Sequence, residues 1–555
     1  MTRTVVLVAA LAAPLCFLPH PLWEVDDARY AEVPRAMAAS GDWATPRLNG
    51  LDYVEKPPLG YWLTALSYEA FGVSEASARL PLALLSLMAV AGVWWLGSWL
   101  LPGLGQTAAL MFSTCAGTLA LSHAVTPDVP LTAFLVWCTA LILRTLAHPE
   151  DGRWAGPLAW VFAALAFLSK GLVALMFPAL WSAALLALFP SLRRGWRGLA
   201  FPVGPLGFLL IAAPWFLCME DRHPGFLRFF FIEQHLQRFL TPKYNRPGPW
   251  FFFLPVAAAG LLPWTHLVLA GLGRAWRERR RGEAQAPALA LWSLGVILFF
   301  SVSRSKLSTY ILPAFPHLCL LGALAAERPA PRWARWFAGG CAVLLLTCAA
   351  AVLTPPVRAL APLPAAAWTA AALSLALLGL GQLAALRPRL SLLGPAAGAL
   401  LALAAAMGGF RAAEPFVSAR PVGLALAARA APQDLVYCYG TYLHGLPFYS
   451  GRPVDRMIYW VGELHYAQRD PANADRFGDD NAIRALPLRG RAVFVALRRS
   501  EAEYFRTLVK PEHIRSFETY GRWVLAEVGY APSAGYGPWI VTRVRLRSSA
   551  AAVIR

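Results

Sequence analysis

Two adjacent carboxylates, Asp26 and Asp27, open a polar stretch that reads Glu24-Val-Asp-Asp-Ala-Arg29-Tyr30-Ala-Glu32 and directly follows an apolar run. An acid there could serve as general base toward a hydroxyl, or orient an acceptor by hydrogen bonding. The plainer reading makes the pair first-turn acids of a helix over Ala28 to Ser40, where the helix dipole favours negative charge. Spacing alone favours the plainer reading. The two are compatible if one Asp caps and the other faces a cavity.

Further groups follow at the ends of apolar runs. Lys56 sits in Glu55-Lys-Pro57-Pro58, where the prolines hold the backbone extended or in a turn. It suits a phosphate contact as a point charge, or a Glu55–Lys56 surface pair of little energetic weight. Asp128 follows Pro127 at the start of an apolar run, and Lys170 stands in a Ser-Lys-Gly turn between two such runs. A lone Lys there can simply snorkel to lipid headgroups. Glu233-Gln-His235-Leu-Gln-Arg238 puts His235 and Arg238 three apart, on one face if the segment is helical. Arg238 suits an anion or an interfacial anchor. Glu55 and His235 form a candidate pair for a divalent metal, although zinc sites normally show three or four ligands. Arg304, Lys306 and Tyr310 gather before Pro313. Clustered cations with a few acids suit an anionic, lipid-linked substrate whose departing phosphate they would stabilise. Walker and glycine-rich nucleotide motifs are absent from the sequence.

The elements that must position these residues are apolar. Of 555 residues 57% are hydrophobic and 15% charged, well below the quarter usual in soluble domains. Runs at 4–20, 80–101, 105–122, 129–147, 154–169, 171–190, 198–218, 250–271, 287–303, 310–326, 335–354, 365–386 and 392–409 give about thirteen expected spans. The first run lacks a small-residue cleavage site and is read as an uncleaved span. Net charge is +19. The arginines fall in short loops (144 and 153; 193 to 197; 274 to 281; 328 to 335; 387 and 389), which marks those loops as cytoplasmic rather than as a nucleic-acid surface. The polar groups above then share the opposite side, in loops 21–79 and 219–249 and at span ends. Charges near a bilayer are costly and tend to line cavities or pair. Paired repeats and midplane charges, the marks of a transporter, are missing. The eight cysteines form no CxxC pair or disulfide pattern.

After Phe410 the composition changes. Leu435–Tyr439, Ala492–Leu497, Trp523–Val528 and Trp539–Val544 read as strands, with a helix over Ser500–Val509. The expected organisation is a mainly α membrane domain over 1–410 and an extracytoplasmic α/β domain over 411–555.

Several segments together resemble one family. Asp26-Asp-Ala-Arg-Tyr-Ala-Glu32, Ser40-Gly-Asp-Trp43, Asn49-Gly-Leu51 and Glu55-Lys-Pro57 with Gly60-Tyr-Trp62 look like the first outer loop of aminoarabinose transferases. These belong, with the protein O-mannosyltransferases, to the GT-C class. Ser169-Lys-Gly171, His235-Leu-Gln-Arg-Phe239 and Lys306-Leu-Ser-Thr-Tyr-Ile-Leu-Pro313 continue the match in order. The resemblance is close over about residues 1–320 and extends to layout alone beyond. It implies a polytopic GT-C bundle in the bacterial inner membrane with a periplasmic catalytic face. It further implies transfer of 4-amino-4-deoxy-L-arabinose from undecaprenyl phosphate to lipid A. A protein or glycan acceptor on the same fold is the alternative. On this resemblance Asp26 and Asp128 are the catalytic acids. Asp27, Arg29, Tyr30, Lys56, Lys170, Arg238, Lys306 and Tyr310 line the substrate cavity, and Glu55 with His235 resembles a metal pair, zinc by ligand type. Asp27 replaces a Glu of the family pattern, and the Thr-Pro-Asp128-Val-Pro wording departs from it. No cofactor is otherwise expected, and a monomer is.

Overall fold

A computed structural model describes residues 2–237, 240, 248–387, 390–486 and 491–529. It is a helical membrane bundle carrying a small sheet domain. Among the described residues eight helices are long and apolar enough to cross a bilayer. A ninth is gained if Phe253–Gly260 and Thr265–Arg280, bent by 114° around Pro263, count as one span. The shortfall from about thirteen has local causes. The first run gives only α1 (Thr2–Ala12), because a short 3-10 turn containing Pro14 follows it. The run 105–122 divides into α5 (Gly105–Thr114) and α6 (Ala116–Leu121), since Cys115 takes an extended backbone.

Local signals set the elements that matter for the site. In α2 (Asp26–Ser40) Asp26 and Asp27 occupy the first turn, and Gly41 ends the helix at φ 70°. A two-residue hairpin follows, β1 (Arg47–Leu48) against β2 (Leu51–Asp52), and then α3 (Leu59–Phe71). α4 (Glu75–Leu100) starts with a reciprocal Ser74–Ser77 capping box. α7 (Asp128–Ala147) and α8 (Gly152–Lys170) form an antiparallel hairpin, and α9 (Val173–Leu188) leaves from its end. Twenty residues of α7 span about 30 Å. Asp128 and Lys170 therefore share one end of the hairpin, while Arg144, Asp151 and Arg153 share the other.

The helix Leu393–Val417 runs unbroken through the expected boundary near 410. Beyond it a six-stranded sheet has the order β5-β4-β3-β6-β8-β7. Its strands are β3 (Leu435–Tyr439), β4 (Arg456–Ile458), β5 (Phe477–Gly478), β6 (Val493–Arg498), β7 (Ile514–Tyr520) and β8 (Trp523–Val528). β3 through β6 pair in parallel, and β6, β8 and β7 pair antiparallel. Two of the expected strands appear with their bounds, and a third is shifted by one residue. Trp539–Val544 lies outside the described residues. The expected helix over 500–509 is Ala502–Leu508.

The sheet domain sits on the loop between α1 and α3. Asn49 acts as a backbone surrogate for Val454: its Nδ2 donates to Val454 O and its Oδ1 accepts from Val454 N, both at 2.8 Å. Arg476 donates to Asn49 O at 2.9 Å.

Candidate active site

Asp26 and Asp27 separate into different roles. Asp27 is buried, 4% exposed. It accepts from Val125 N at 2.5 Å and Trp23 N at 3.1 Å, and pairs with the wholly buried Arg79. Arg79 also donates to the carbonyls of Leu18, His20, Pro21 and His123. Asp27 is thus the structural member, expected as a substrate ligand but fully engaged by protein. Its bond to Val125 brings the first turn of α2 to the end of α7. Asp26 is the outward member, with a side chain 44% exposed and one oxygen held by Arg29. Arg29 is buried, stacks over Tyr30 at 5.0 Å, and donates to Glu463 at 2.6 Å.

At the neighbouring helix ends, Asp128 is 2% exposed and paired with Lys170. Its other oxygen accepts from Thr126 Oγ1 at 3.1 Å. The Lys170 ammonium lies 4.6 Å over the Tyr310 ring, so three expected residues meet at one point. Gly171, at φ 85°, closes α8 there. A Cβ on it would come within 2.6 Å of His235 Nε2. A narrow cleft opens beside the Asp128 end of α7. Tyr30, Lys56, Thr126 and Ser169 line it together with apolar side chains that include Leu82 and Leu85 of α4. Tyr61 also lines it, with its hydroxyl buried. Lys56 Nζ is 3.3 Å from Glu55 O and 3.7 Å from Glu55 Oε2.

Lys306 is buried and donates to Ser301 O at 2.8 Å and Ser303 O at 2.6 Å, fixed on the last turn of the preceding span, whereas Arg304 is exposed. Phe229–Gln237 is a π-helix, so spacing by 3.6 residues does not apply to His235. Arg238 lies outside the described residues. His235 Nδ1 donates to Phe230 O at 2.7 Å and Nε2 accepts from Leu172 N at 3.3 Å. These two contacts orient the His235 ring against Phe230 and the turn after α8. Glu55 instead faces Gln234 Nε2 at 3.5 Å and His465 Nδ1 at 3.9 Å. Among the described residues, three metal-type donors converge only at His148, Glu150 and Asp151, at the far end of the α7–α8 hairpin. Sequence reading missed Arg79, Glu463, His444 and His465. Arg79 alone carried a signal, a lone arginine entering an apolar run.

The comparisons fit this geometry. The family model described as dolichyl-phosphate-mannose-protein mannosyltransferase matches residues 55–217. An undecaprenyl phosphate-alpha-4-amino-4-deoxy-L-arabinose arabinosyl transferase of Pseudomonas aeruginosa strain LESB58 is 35% identical over 314 residues, 54% of this chain and 55% of that protein. This chain thus matches about half the length of that curated relative. The solved structure of ArnT from Cupriavidus metallidurans bound to undecaprenyl phosphate superposes with a TM-score of 0.81 at 27% identity, over 95% of this chain and 97% of that one. The chain is ArnT-like in fold along nearly its whole length. The apo structure of the same ArnT superposes with a TM-score of 0.79, so this ArnT-like chain shares bundle and sheet domain with both.

Proposed function

We propose that the protein is an integral-membrane glycosyltransferase that moves a sugar from undecaprenyl phosphate to lipid A on the periplasmic face of the bacterial inner membrane. The sugar best supported is 4-amino-4-deoxy-L-arabinose, the one named in the relatives. The observation that carries the reading is the cleft lined by Lys56, hydroxyls and apolar side chains, next to the Asp128–Lys170–Tyr310 group. Such a site suits a phosphate on a long apolar chain. The arginine-rich loops at the far ends of α7, α8 and α9 support a non-cytoplasmic site.

The chemistry follows from the residues. An acceptor oxygen attacks the anomeric carbon, and the bond from that carbon to the phosphate oxygen breaks on the opposite face. Undecaprenyl phosphate leaves with the electron pair, and the anomeric centre inverts. Lys56 and Lys170 stabilise the charge gathering on the phosphate. The oxygen of Asp26 not held by Arg29 orients the acceptor. A lipid A phosphate is already an anion and needs no base. A Ser or Thr hydroxyl would pass its proton to Asp26, giving turnover an acid limb. The mannosyltransferase family match favours that second reading, a polyprenyl-linked hexose and a protein or glycan acceptor. A monomer is the proposed working unit.

The test supplies purified protein with undecaprenyl-phosphate aminoarabinose and lipid A, and follows lipid A by mass spectrometry. Wild type should add one sugar, and Asp26→Asn should lose about 100-fold in rate, the scale of a misplaced reacting group. A folded wild type that adds nothing would exclude this donor and acceptor.

A further inference from the structure

An unbroken line of alternating charge runs from the sheet domain to the first turn of α2. Glu24, just before α2, accepts from His444 N at 2.8 Å and Gly445 N at 2.7 Å. The His444 ring is held between Tyr442 and Trp460, with Nδ1 3.4 Å from Glu24 Oε2. Its Nε2 donates to Glu463 Oε1 at 2.6 Å, and that oxygen also accepts from Arg29 Nη1 at 2.6 Å. The other terminal nitrogen of Arg29 holds Asp26. Side-chain exposure stays low until the last member: 3% at Glu24, 2% at His444, 12% at Glu463, 10% at Arg29 and 44% at Asp26. The buried end is fixed, and the exposed end is the proposed catalytic carboxylate.

We propose that Glu463 and His444 of the sheet domain are positioning residues for Asp26, acting through Arg29. The inference rests on the glycosyltransferase reading above. A guanidinium is rigid and planar, so fixing one terminal nitrogen fixes the other and the carboxylate it holds. Tyr30 and Tyr53, with ring centres 5.0 and 5.9 Å from the guanidinium carbon, restrict its rotation. Docking alone explains the line poorly. The domain is already seated by Asn49, Val454 and Arg476, and burying ions costs several kcal/mol each before pairing repays it. The groups facing His444 are Glu24, Glu463 and Tyr442, with Arg29 and Asp26 one step beyond. Burial opposes the imidazolium, yet Glu463 and Glu24 raise the His444 pKa above its ordinary value. Burial would raise Glu463 as well, but Arg29 and His444 hold it well below the carboxylate range. Both shifts favour the charged forms of this pair.

The experiment measures transfer from undecaprenyl-phosphate aminoarabinose to lipid A by the full chain in detergent, with kcat and donor KM separated across pH. Glu463→Ala should lower kcat about 30- to 100-fold, the scale of a reacting group misplaced by an ångström, with KM within about twofold. Glu463→Gln keeps an oxygen for Arg29 and should recover about a third to a tenth of wild-type kcat. It should also alter the pH profile, because the His444–Glu463 pair has lost a charge. Asn49→Asp, which turns the donor to Val454 O into an acceptor, should lower the melting temperature and leave kcat and the pH profile unchanged. Wild-type kcat in both Glu463 variants, with Asp26→Asn inactive, overturns the positioning role and leaves the glycosyltransferase reading standing. An equal kcat loss in Asn49→Asp overturns it as well, since loosened docking would then suffice. A folded wild type without transfer removes the reading and this inference together.

Discussion

Replacing Arg79 with Met should unseat the first turn of α2 from the end of α7. The side chain is wholly buried and, among the described residues, supplies the cation paired with Asp27, itself 4% exposed. Removing one partner of a buried ion pair costs about 3–5 kcal/mol, because the other charge stays behind. Asp27 keeps its bonds from Val125 N and Trp23 N, which hold the lower end of that range. The Leu18 and His20 carbonyls also lose their bonds from Arg79, at about 1 kcal/mol or more each. Asp27→Asn with Arg79→Met removes both charges and should be less damaged than the sum, with a coupling of about 1–3 kcal/mol. The protein carries its own reporter in the buried thiols Cys115, Cys138 and Cys319. A thiol-reactive fluorogenic dye should label them at a lower temperature in either single variant than in the double one. If Asp27→Asn and Arg79→Met each melt with wild type, or their effects simply add, the pair is not structural. A selective rise in donor KM in Asp27→Asn with unchanged melting would make Asp27 a substrate ligand after all.

Stability should also follow pH through the His444–Glu463 pair. His444 has a raised folded pKa, so its contribution is full below about 6.5, the unfolded value, and is lost as pH rises through the folded one. Glu463 has a depressed folded pKa, so its share is present above about 4.5 and is lost as pH falls toward the folded value. Melting temperature should peak near pH 5 to 6, roughly between those values, and Glu463→Gln should flatten the peak. Tyr310→Leu removes the ring beneath Lys170 and should cut kcat/KM for donor about 5- to 30-fold, equivalent to about 1–2 kcal/mol of cation–π attraction. Tyr310→Phe should stay near wild type in the same donor titration. Gly171→Ala forces a side chain onto a backbone at φ 85° and against His235 and Phe230. It should destabilise by about 1–3 kcal/mol, read by the same thiol melt.

What the sequence disclosed divides by range. Apolar runs marked most long helices, because burial in lipid leaves a local imprint. Alternation marked β3 and β8 to the residue. β4 and β5, of three and two residues, are too short to carry a pattern and exist through pairing with neighbours. Asp128 and Lys170 stood out singly at run ends. Their pairing depends on how α7 and α8 fold back on each other. The shared face expected for His235 and Arg238 presumes 3.6 residues per turn, whereas Phe229–Gln237 is π-helical and Arg238 lies outside the described residues. Asp27 read correctly as a first-turn acid, while its partner Arg79 lies 52 residues away. Glu463 and His444 have no spacing relation to Arg29 at all.

The 434 residues between Arg29 and Glu463 give the line of charge a place in time. At translation rates of about 5–20 residues per second, Glu463 is made roughly 20 to 90 seconds after Arg29. During that interval the spans can enter the bilayer while the Arg29 guanidinium has only Asp26 to pair with. The chain thus matures in an order that puts membrane insertion first and the final setting of its outward carboxylate last. A ribosome that stalls before residue 463 would leave behind an inserted bundle with an unset site.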